Sequence, residues 1–285
     1  FDGVHRGHQA VIGALQSQAG SNPVGVVTFR QHPLSELQPS MAPPMLTSLE
    51  QRLELLEALG VEAVAVLEFS EIRPLEPAEF VSTIVSGVMN AAHLAVGRGF
   101  RFGHQMAGDE TTLRELGVQH GFDVTILDIV GGSVPVRSTA IREALGNGDV
   151  TAAAAMLGRP FQLRGAVIQG DQRGRQLGFP TANLEVETGR AMPGRGVYSA
   201  YTTSGDGTTH ASVVNIGVRP TFGEFAEVAE VHLLDTRIDL YGQELSVDFV
   251  ERIRSERRFS GIDELVEQIG RDIETARAQL DAYSR

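Results

Sequence analysis

Apolar positions along the chain recur at two spacings, every three to four residues and every two, and the switching between them divides the first half into helices and strands. Val11, Ile12 and Leu15 follow the opening FDGVHRGH at helical spacing. PVGVVTF, residues 23–29, then reads as a short β-branched strand of the kind that fills a buried parallel sheet. Leu49, Leu53, Leu56 and Leu59 return to the helical period, with Thr47 and Glu50 ahead of them as a T-x-x-E capping box and Gly60 as the stop. EAVAVLEF predicts a strand, Pro77 opens a helix whose apolar face is Phe80, Val81, Ile84 and Val88, and HLAVG, a helix over 111–120 and DVTILDIV complete the series. This βαβ alternation predicts a doubly wound parallel sheet with its site at the carboxyl ends of the strands. The strand that would feed FDGVHRGH is not in the sequence, so the expectation is a domain truncated at its N-terminus.

A different pattern follows GNGDVTAAAAMLGRP, a short Ala-rich helix between Gly148 and the Gly158–Pro160 stop. Beyond it FQLRGAVIQG, GVYSAYTT, HASVVNIG, VAEVHLLD and ELSVDFV read as strands separated by Gly, Asp and Pro clusters, which predicts a small antiparallel barrel. In the tail, Ile262, Leu265, Ile269, Ile273, Ala276 and Leu280 mark one face of a long helix that covers the barrel, its acidic opposite face solvated. The predicted organisation is therefore an α/β domain over 1–147, a linker helix over 148–158 and an all-β domain over 159–285.

Composition narrows the chemistry. At 285 residues and 42% hydrophobic content the chain can bury two cores, and without cysteine it has neither structural disulfides nor thiolate metal ligands. A formal net charge of −12 argues against a nucleic-acid surface but not against local nucleotide sites. No apolar run approaches the ~18 residues needed to span a bilayer and no signal segment leads the chain, so a cytoplasmic protein is expected.

Five stretches carry chemistry. His5 and His8 flank Gly7 at a helix N-terminus, where unpaired amides and the helix dipole favour an anion; Gly3 and Gly7 let the backbone approach a phosphate, and two imidazoles can donate to its oxygens. VRSTAIREAL starts a second helix at Ser138 or Thr139, with Arg142 one turn on; plain N-capping explains these hydroxyls equally well. GRGFRFGHQMAGD, residues 97–109, follows a predicted strand and has the glycines of a ligand-approaching loop. In GDQRGRQLGFPTANL a Gly/Arg-rich segment with the makings of a flap precedes Pro180, Thr181 and Asn183, whose hydroxyl and amide oxygens suit a hydrated Mg²⁺ held also by nucleotide phosphates. VAEVHLLD projects Glu230 and His232 from the face opposite Ala229, Val231 and Leu233. Glu230 can take a proton from an attacking hydroxyl, though taken alone it is equally an ordinary strand carboxylate.

Together these motifs resemble the prokaryotic bifunctional riboflavin kinase/FAD synthetase family over nearly the whole chain. FDGVHRGHQ is similar to its adenylyltransferase motif, and GFPTAN, NIGVRPTF, AEVHLLD and DLYGQ are similar to its kinase half. The resemblance implies two ATP-dependent reactions, riboflavin to FMN and FMN to FAD. It also implies roles: Glu230 as the kinase base, Gly178, Thr181 and Asn183 as nucleotide and Mg²⁺ contacts, and Arg254 as a flavin contact. On the adenylyltransferase side it makes His5 and His8 phosphate-stabilising, and Gly3, Gly7, Ser138, Thr139 and Arg142 nucleotide-binding. The expected partners are riboflavin, FMN and ATP, with no nucleic acid or membrane and with room for a homo-oligomer.

The sequence departs from the family in its first half. Arg30 and Gln31 precede His32 and Pro33 where Asp-Pro is usual, Gly99 stands for Asn or Asp, and Arg137 stands for Ser. Two other readings therefore compete with the bifunctional enzyme: a riboflavin kinase with an impaired adenylyltransferase domain, and a flavin- or nucleotide-binding sensor without turnover.

Overall fold

A computed structural model describes residues 1–128, 136–169, 174, 177–221, 224–236 and 238–284. Two compact units divide the chain, Phe1–Ser138 and Thr139–Arg285.

In the first unit, α1 (Arg6–Ala19) leads to β1 (Gly25–Phe29), a short α2 (Leu34–Leu37), α3 (Leu49–Ala58) and β2 (Ala63–Leu67). There follow α4 (Phe69–Ile72), α5 (Pro77–Phe80), a π-helical segment Val81–Val88, β3 (His93–Gly97), α6 (Glu110–His120) and β4 (Asp123–Leu127). The strands are parallel, as the alternation predicts. They hydrogen-bond as two pairs, β1 with β2 from Gly25↔Ala63 to Phe29↔Leu67, and β3 with β4 from His93↔Asp123 to Gly97↔Leu127. Each pair has its own apolar core. Val4, Ile12, Val26, Leu56 and Val61 close the first, and Val85, Val96, Phe102, Leu113 and Phe122 the second.

Two details differ from the sequence reading. The α3 capping box is formed by Ser48 and Gln51, one residue beyond the Thr47–Glu50 pair: the Ser48 hydroxyl accepts from the Gln51 amide at 3.0 Å and Gln51 returns the bond to the Ser48 amide at 3.1 Å. Thr47 is engaged instead by the opening loop. The helix behind Pro77 widens to a π-helix, so Val81, Ile84 and Val85 are buried while Val88 is 59% exposed. A wider turn advances each residue by less than 100° and carries Val88 off the buried face.

The second unit begins with α7 (Ser138–Gly146), whose first residue still counts with the first unit, and α8 (Val150–Leu157). A closed barrel follows, built from β5 (Phe161–Ile168), β6 (Ala182–Glu185), β7 (Gly196–Thr203), β8 (Thr209–Thr221), β9 (Glu224–Leu233) and β10 (Glu244–Ser255) in the order β10-β5-β6-β9-β8-β7. All its pairings are antiparallel. Strand β6, the four residues that follow Thr181, has no counterpart in the sequence reading. The turn between α7 and α8 is fixed to the barrel: Arg252 donates to the carbonyls of Asn147 at 3.2 Å and Arg195 at 2.5 Å, and the Tyr198 hydroxyl donates to Gly194. Gly148, at φ +77°, passes so close that a Cβ there would lie 2.8 Å from the Tyr198 oxygen.

The last helix, α9 (Ile262–Tyr283), lays Ala276 against Val197, Val213 and Leu234, so it covers the barrel as its apolar stripe predicts. Ile262, at the stripe's first position, is instead 65% exposed at the helix start. Asp272, from the acidic set, is buried because Arg254 of β10 meets it with two guanidinium nitrogens, at 2.8 and 3.0 Å.

Candidate functional site

In the first unit the candidate site is the start of α1. His5 is its N-cap: Nδ1 accepts from the His8 amide at 3.4 Å, which leaves the ring proton of a neutral His5 on Nε2. The rings of His5 and His8 stack at 3.7 Å between centroids, 15° from parallel. Gly7 permits this, because a Cβ there would lie 3.0 Å from His5 Cε1. Burial, and then nearby positive charge, hold the pKa of His8 well below the ordinary 6.5, so its ring is neutral and can donate one proton in a hydrogen bond. Immediately upstream, Gly3 at φ +82° and Val4 at φ +39° turn the chain into the helix. A β-branched residue with positive φ is strained, and burial of Val4 in the first core holds it there.

Side chains distant in sequence fix this loop. The Asp2 carboxylate accepts from the amides of Leu46 (3.0 Å) and Thr47 (3.1 Å) and from the Thr47 hydroxyl (3.2 Å), whose oxygen also accepts from the Gly3 amide (3.2 Å). Ser138 donates to the Asp2 carbonyl at 3.0 Å, which brings the first residue of the second predicted motif onto the first. Thr139 and Arg142 continue α7 within the other unit. Sequence reasoning passes over Asp2 and Arg52 and reads Thr47 only as a helix cap. The signal for Arg52 was available: it lies three residues after Leu49 and four before Leu56, a cation on the apolar stripe of α3.

The positions that depart from the family are all described. Arg30 pairs with Glu68 at 2.5 Å, His32 Nδ1 accepts from the Leu34 amide at 3.1 Å, and Arg137 is exposed. Gly99, at φ +81°, donates its amide to Glu110 at 2.6 Å.

In the barrel, Ala182↔Val231 and Leu184↔Ala229 pair across β6 and β9 on the buried face, which puts Asn183↔Glu230 on the other. Glu230 is also in register with Asn215 of β8. A row Asn183, Glu230, Asn215 therefore crosses three strands, a carboxylate between two amides; Asn215 lay within NIGVRPTF without being singled out. A cavity of about 450 Å³ is lined by Gly178, Thr181, Val231, Asp239 and Tyr241, among others, and so meets β6 and β9 through Ala182 and Val231 rather than through the row itself. Gly178 turns the chain at φ +88°, and His232 Nδ1 donates to the Pro180 carbonyl at 2.8 Å while Phe179 meets the His232 ring edge-on. Opposite, the Asp239 carboxylate accepts from the Tyr241 amide at 3.1 Å and Gly242, at φ +74°, closes the turn. The structure thus brings Gly178 and Thr181 to one cavity and Asn183 and Glu230 into one row. Arg254 is held by Asp272, with Phe259 5.6 Å from its guanidinium carbon. The Gly/Arg-rich stretch, residues 170–173 and 175–176, lies outside the described residues, as does Phe222 of NIGVRPTF.

No group of three or more His, Cys, Asp or Glu among the described residues could hold a metal. The donor set at the barrel is a hydroxyl and an amide oxygen with one carboxylate in the row. That fits Mg²⁺ arriving with nucleotide phosphates and keeping most of its water, and does not fit a resident metal.

A helix start with a stacked histidine pair on an α/β unit, followed by a closed barrel carrying a cavity, is the arrangement of a chain with two separate candidate sites. Comparison with known proteins agrees. A FAD synthetase family model matches residues 1–140 and a riboflavin kinase model residues 157–280. The bifunctional riboflavin kinase/FMN adenylyltransferase of Escherichia coli strain K12 is 39% identical over 97% of this chain and 90% of its own length. That of Pseudomonas fluorescens is 40% identical over 98% and 90%. A crystal structure described as a macrolide-efflux protein from Streptococcus pneumoniae superposes with a TM-score of 0.89 at 31% identity, over 97% of this chain and 91% of that one. No helix among the described residues here is long and apolar enough to cross a membrane. The chain belongs to the bifunctional riboflavin kinase/FMN adenylyltransferase family.

Proposed function

We propose that the chain carries out both reactions for which its relatives are named: transfer of the ATP γ-phosphoryl group to riboflavin, giving FMN and ADP, and transfer of AMP from ATP to FMN, giving FAD and pyrophosphate. The adenylyltransferase domain would comprise residues 1–147 and the kinase domain 159–285, with 148–158 between them. Use of ATP as co-substrate in both reactions supports a cytoplasmic location.

In the kinase half, the row of Glu230 between Asn183 and Asn215 carries the reading. As the ribityl hydroxyl oxygen bonds to the γ-phosphorus, its O–H bond breaks and Glu230 takes the proton, while ADP leaves with the former bridging oxygen. Thr181 and Asn183 orient the nucleotide and would hold Mg²⁺, which when bound offsets charge on the β- and γ-phosphates. Gly178 lets the backbone approach the phosphates, and Arg254 contacts the flavin.

In the other half, the FMN phosphate oxygen attacks the α-phosphorus of ATP and the bond to pyrophosphate breaks. The first amides of α1 with His5 Nε2–H and the neutral His8 ring stabilise the oxygens on which charge accumulates, and Gly3 and Gly7 keep that approach clear. Ser138, Thr139 and Arg142 are the further nucleotide-binding residues that the family resemblance implies. Gly99 favours the second reading, a kinase with an impaired adenylyltransferase, because it offers an amide already bonded to Glu110 where the family has a side chain.

The test is incubation of the chain with Mg²⁺, ATP and either riboflavin or FMN, followed by chromatographic separation of flavins. FMN from the first and FAD from the second are expected. FMN alone would establish the second reading, and neither product would leave the binding sensor.

A further inference from the structure

Arg52 is 2% exposed, within the apolar packing of α3. Burying a guanidinium is unfavourable unless its donors and charge are used. Their use here is directional. Nε donates to the Thr47 hydroxyl oxygen at 3.5 Å, and Nη1 to the Thr28 hydroxyl at 3.2 Å and to the Phe29 carbonyl at 2.5 Å, the residue that ends β1. Nη2 has no hydrogen-bond partner among the described residues.

Thr47 transmits the contact. Its oxygen accepts from Arg52 and from the Gly3 amide while its proton goes to Asp2, so the single donor and both lone pairs of the hydroxyl are engaged. Asp2 and Gly3 in turn set the strained turn at Val4 that aims the start of α1. The cation thus lies behind the loop at the carboxyl end of β1, the end where parallel α/β sheets place their ligands. Its field also reaches His8.

We infer that Arg52 is a positioning residue for adenylyl transfer: through Thr47 it fixes Asp2 and Gly3, and so the His5–His8 pair, against the phosphates that react at the start of α1. The inference rests on the proposed site for that reaction. A loop displaced by an ångström or so lowers turnover by about 100-fold while leaving much of the ground-state binding in place.

The experiment uses the full chain with three substitutions. Arg52→Met removes charge and fork at similar volume, Arg52→Lys keeps the charge without the fork, and Thr47→Val removes only the relaying hydroxyl. For each, kcat and KM are measured for FAD formation from FMN, with FMN formation from riboflavin as the internal reference and urea unfolding to give the folded fraction. Expected are a fall in kcat for FAD formation of about 100-fold in Arg52→Met with far smaller changes in KM, a loss in the same direction in Thr47→Val, partial recovery in Arg52→Lys, and unchanged FMN formation. Unchanged kcat in Arg52→Met and Thr47→Val, or losses that only follow the folded fraction, would overturn the inference. Should Arg52→Met fail to fold, Thr47→Val and Arg52→Lys decide it by the same kcat criterion. A His8→Ala chain run alongside separates the two levels: if it forms FAD normally, the site itself is wrongly placed, whereas its loss with full activity in the Arg52 and Thr47 variants sinks only the positioning role.

Discussion

At Glu230 the difference between a structural and a catalytic carboxylate is measurable. Glu230→Gln keeps the side chain's shape and polarity in the row with Asn183 and Asn215 but removes its ability to take a proton. It should lower FMN formation by about 100- to 10,000-fold with KM for ATP nearly unchanged; undiminished turnover would return Glu230 to the ordinary strand residues. His8 makes a prediction in pH. Its pKa in the folded chain lies well below 6.5, burial being the first cause and nearby positive charge the second. Between that depressed value and 6.5 the unfolded chain binds a proton that the folded chain does not, so stability rises with pH there by up to about 1.4 kcal/mol per unit and is complete above about pH 6.5. Urea midpoints at pH 7.5 and 5.5 should therefore drop more for the native chain than for His8→Gln, and equal drops would mean that His8 titrates normally.

Elements whose ends are written in local chemistry were legible in the sequence. The stop of α3 at Gly60, the start of α5 at Pro77 and the alternation Ala229, Val231, Leu233 in β9 all follow from turn residues and periods. What escaped was settled by tertiary competition. Thr47 is a sound cap by propensity, but Asp2 and Gly3 claim its hydroxyl, and Ser48 takes over the helix. Strand β6 is too short for its own alternation to register, and exists because β5 and β9 both pair with it. The Val81–Val88 π-helix looks α-helical to any reading that assumes a 3.6-residue turn. The candidate site divides in the same way: H-x-G-H and GFPTAN carry their own spacing, whereas Asn215, Thr47 and Arg52 become visible only through the register and burial that place them. Two element-level costs follow. Ser48→Ala should cost about 1 kcal/mol in urea unfolding, and Thr47→Ala should act through the opening loop rather than the helix cap. Asp272→Asn removes the charge facing Arg254, with side chains 4% and 20% exposed, and should cost about 3 kcal/mol, the lower end of the range for broken buried pairs because Arg254 keeps some water. An unfolding midpoint unmoved by Asp272→Asn would show that the pair adds nothing to the packing of α9.

For the whole molecule, the division between Ser138 and Thr139 puts the His5–His8 pair and Glu230 in separate compact units, each with its own core. Separate cores imply that damage at one site need not be felt at the other, because a local substitution changes the geometry mainly of the unit that packs it. His8→Ala should then lower FAD formation from FMN while FMN formation from riboflavin continues at the native rate, so that FMN accumulates in a reaction started from riboflavin. Glu230→Gln should do the reverse: little FMN appears from riboflavin, yet FMN supplied directly is still converted to FAD. The two crossed deficits would make each product an independent report on one unit. If either substitution reduced both reactions by the same factor, the catalytic sites would have to share residues or a conformational step, and their assignment to separate units would fail.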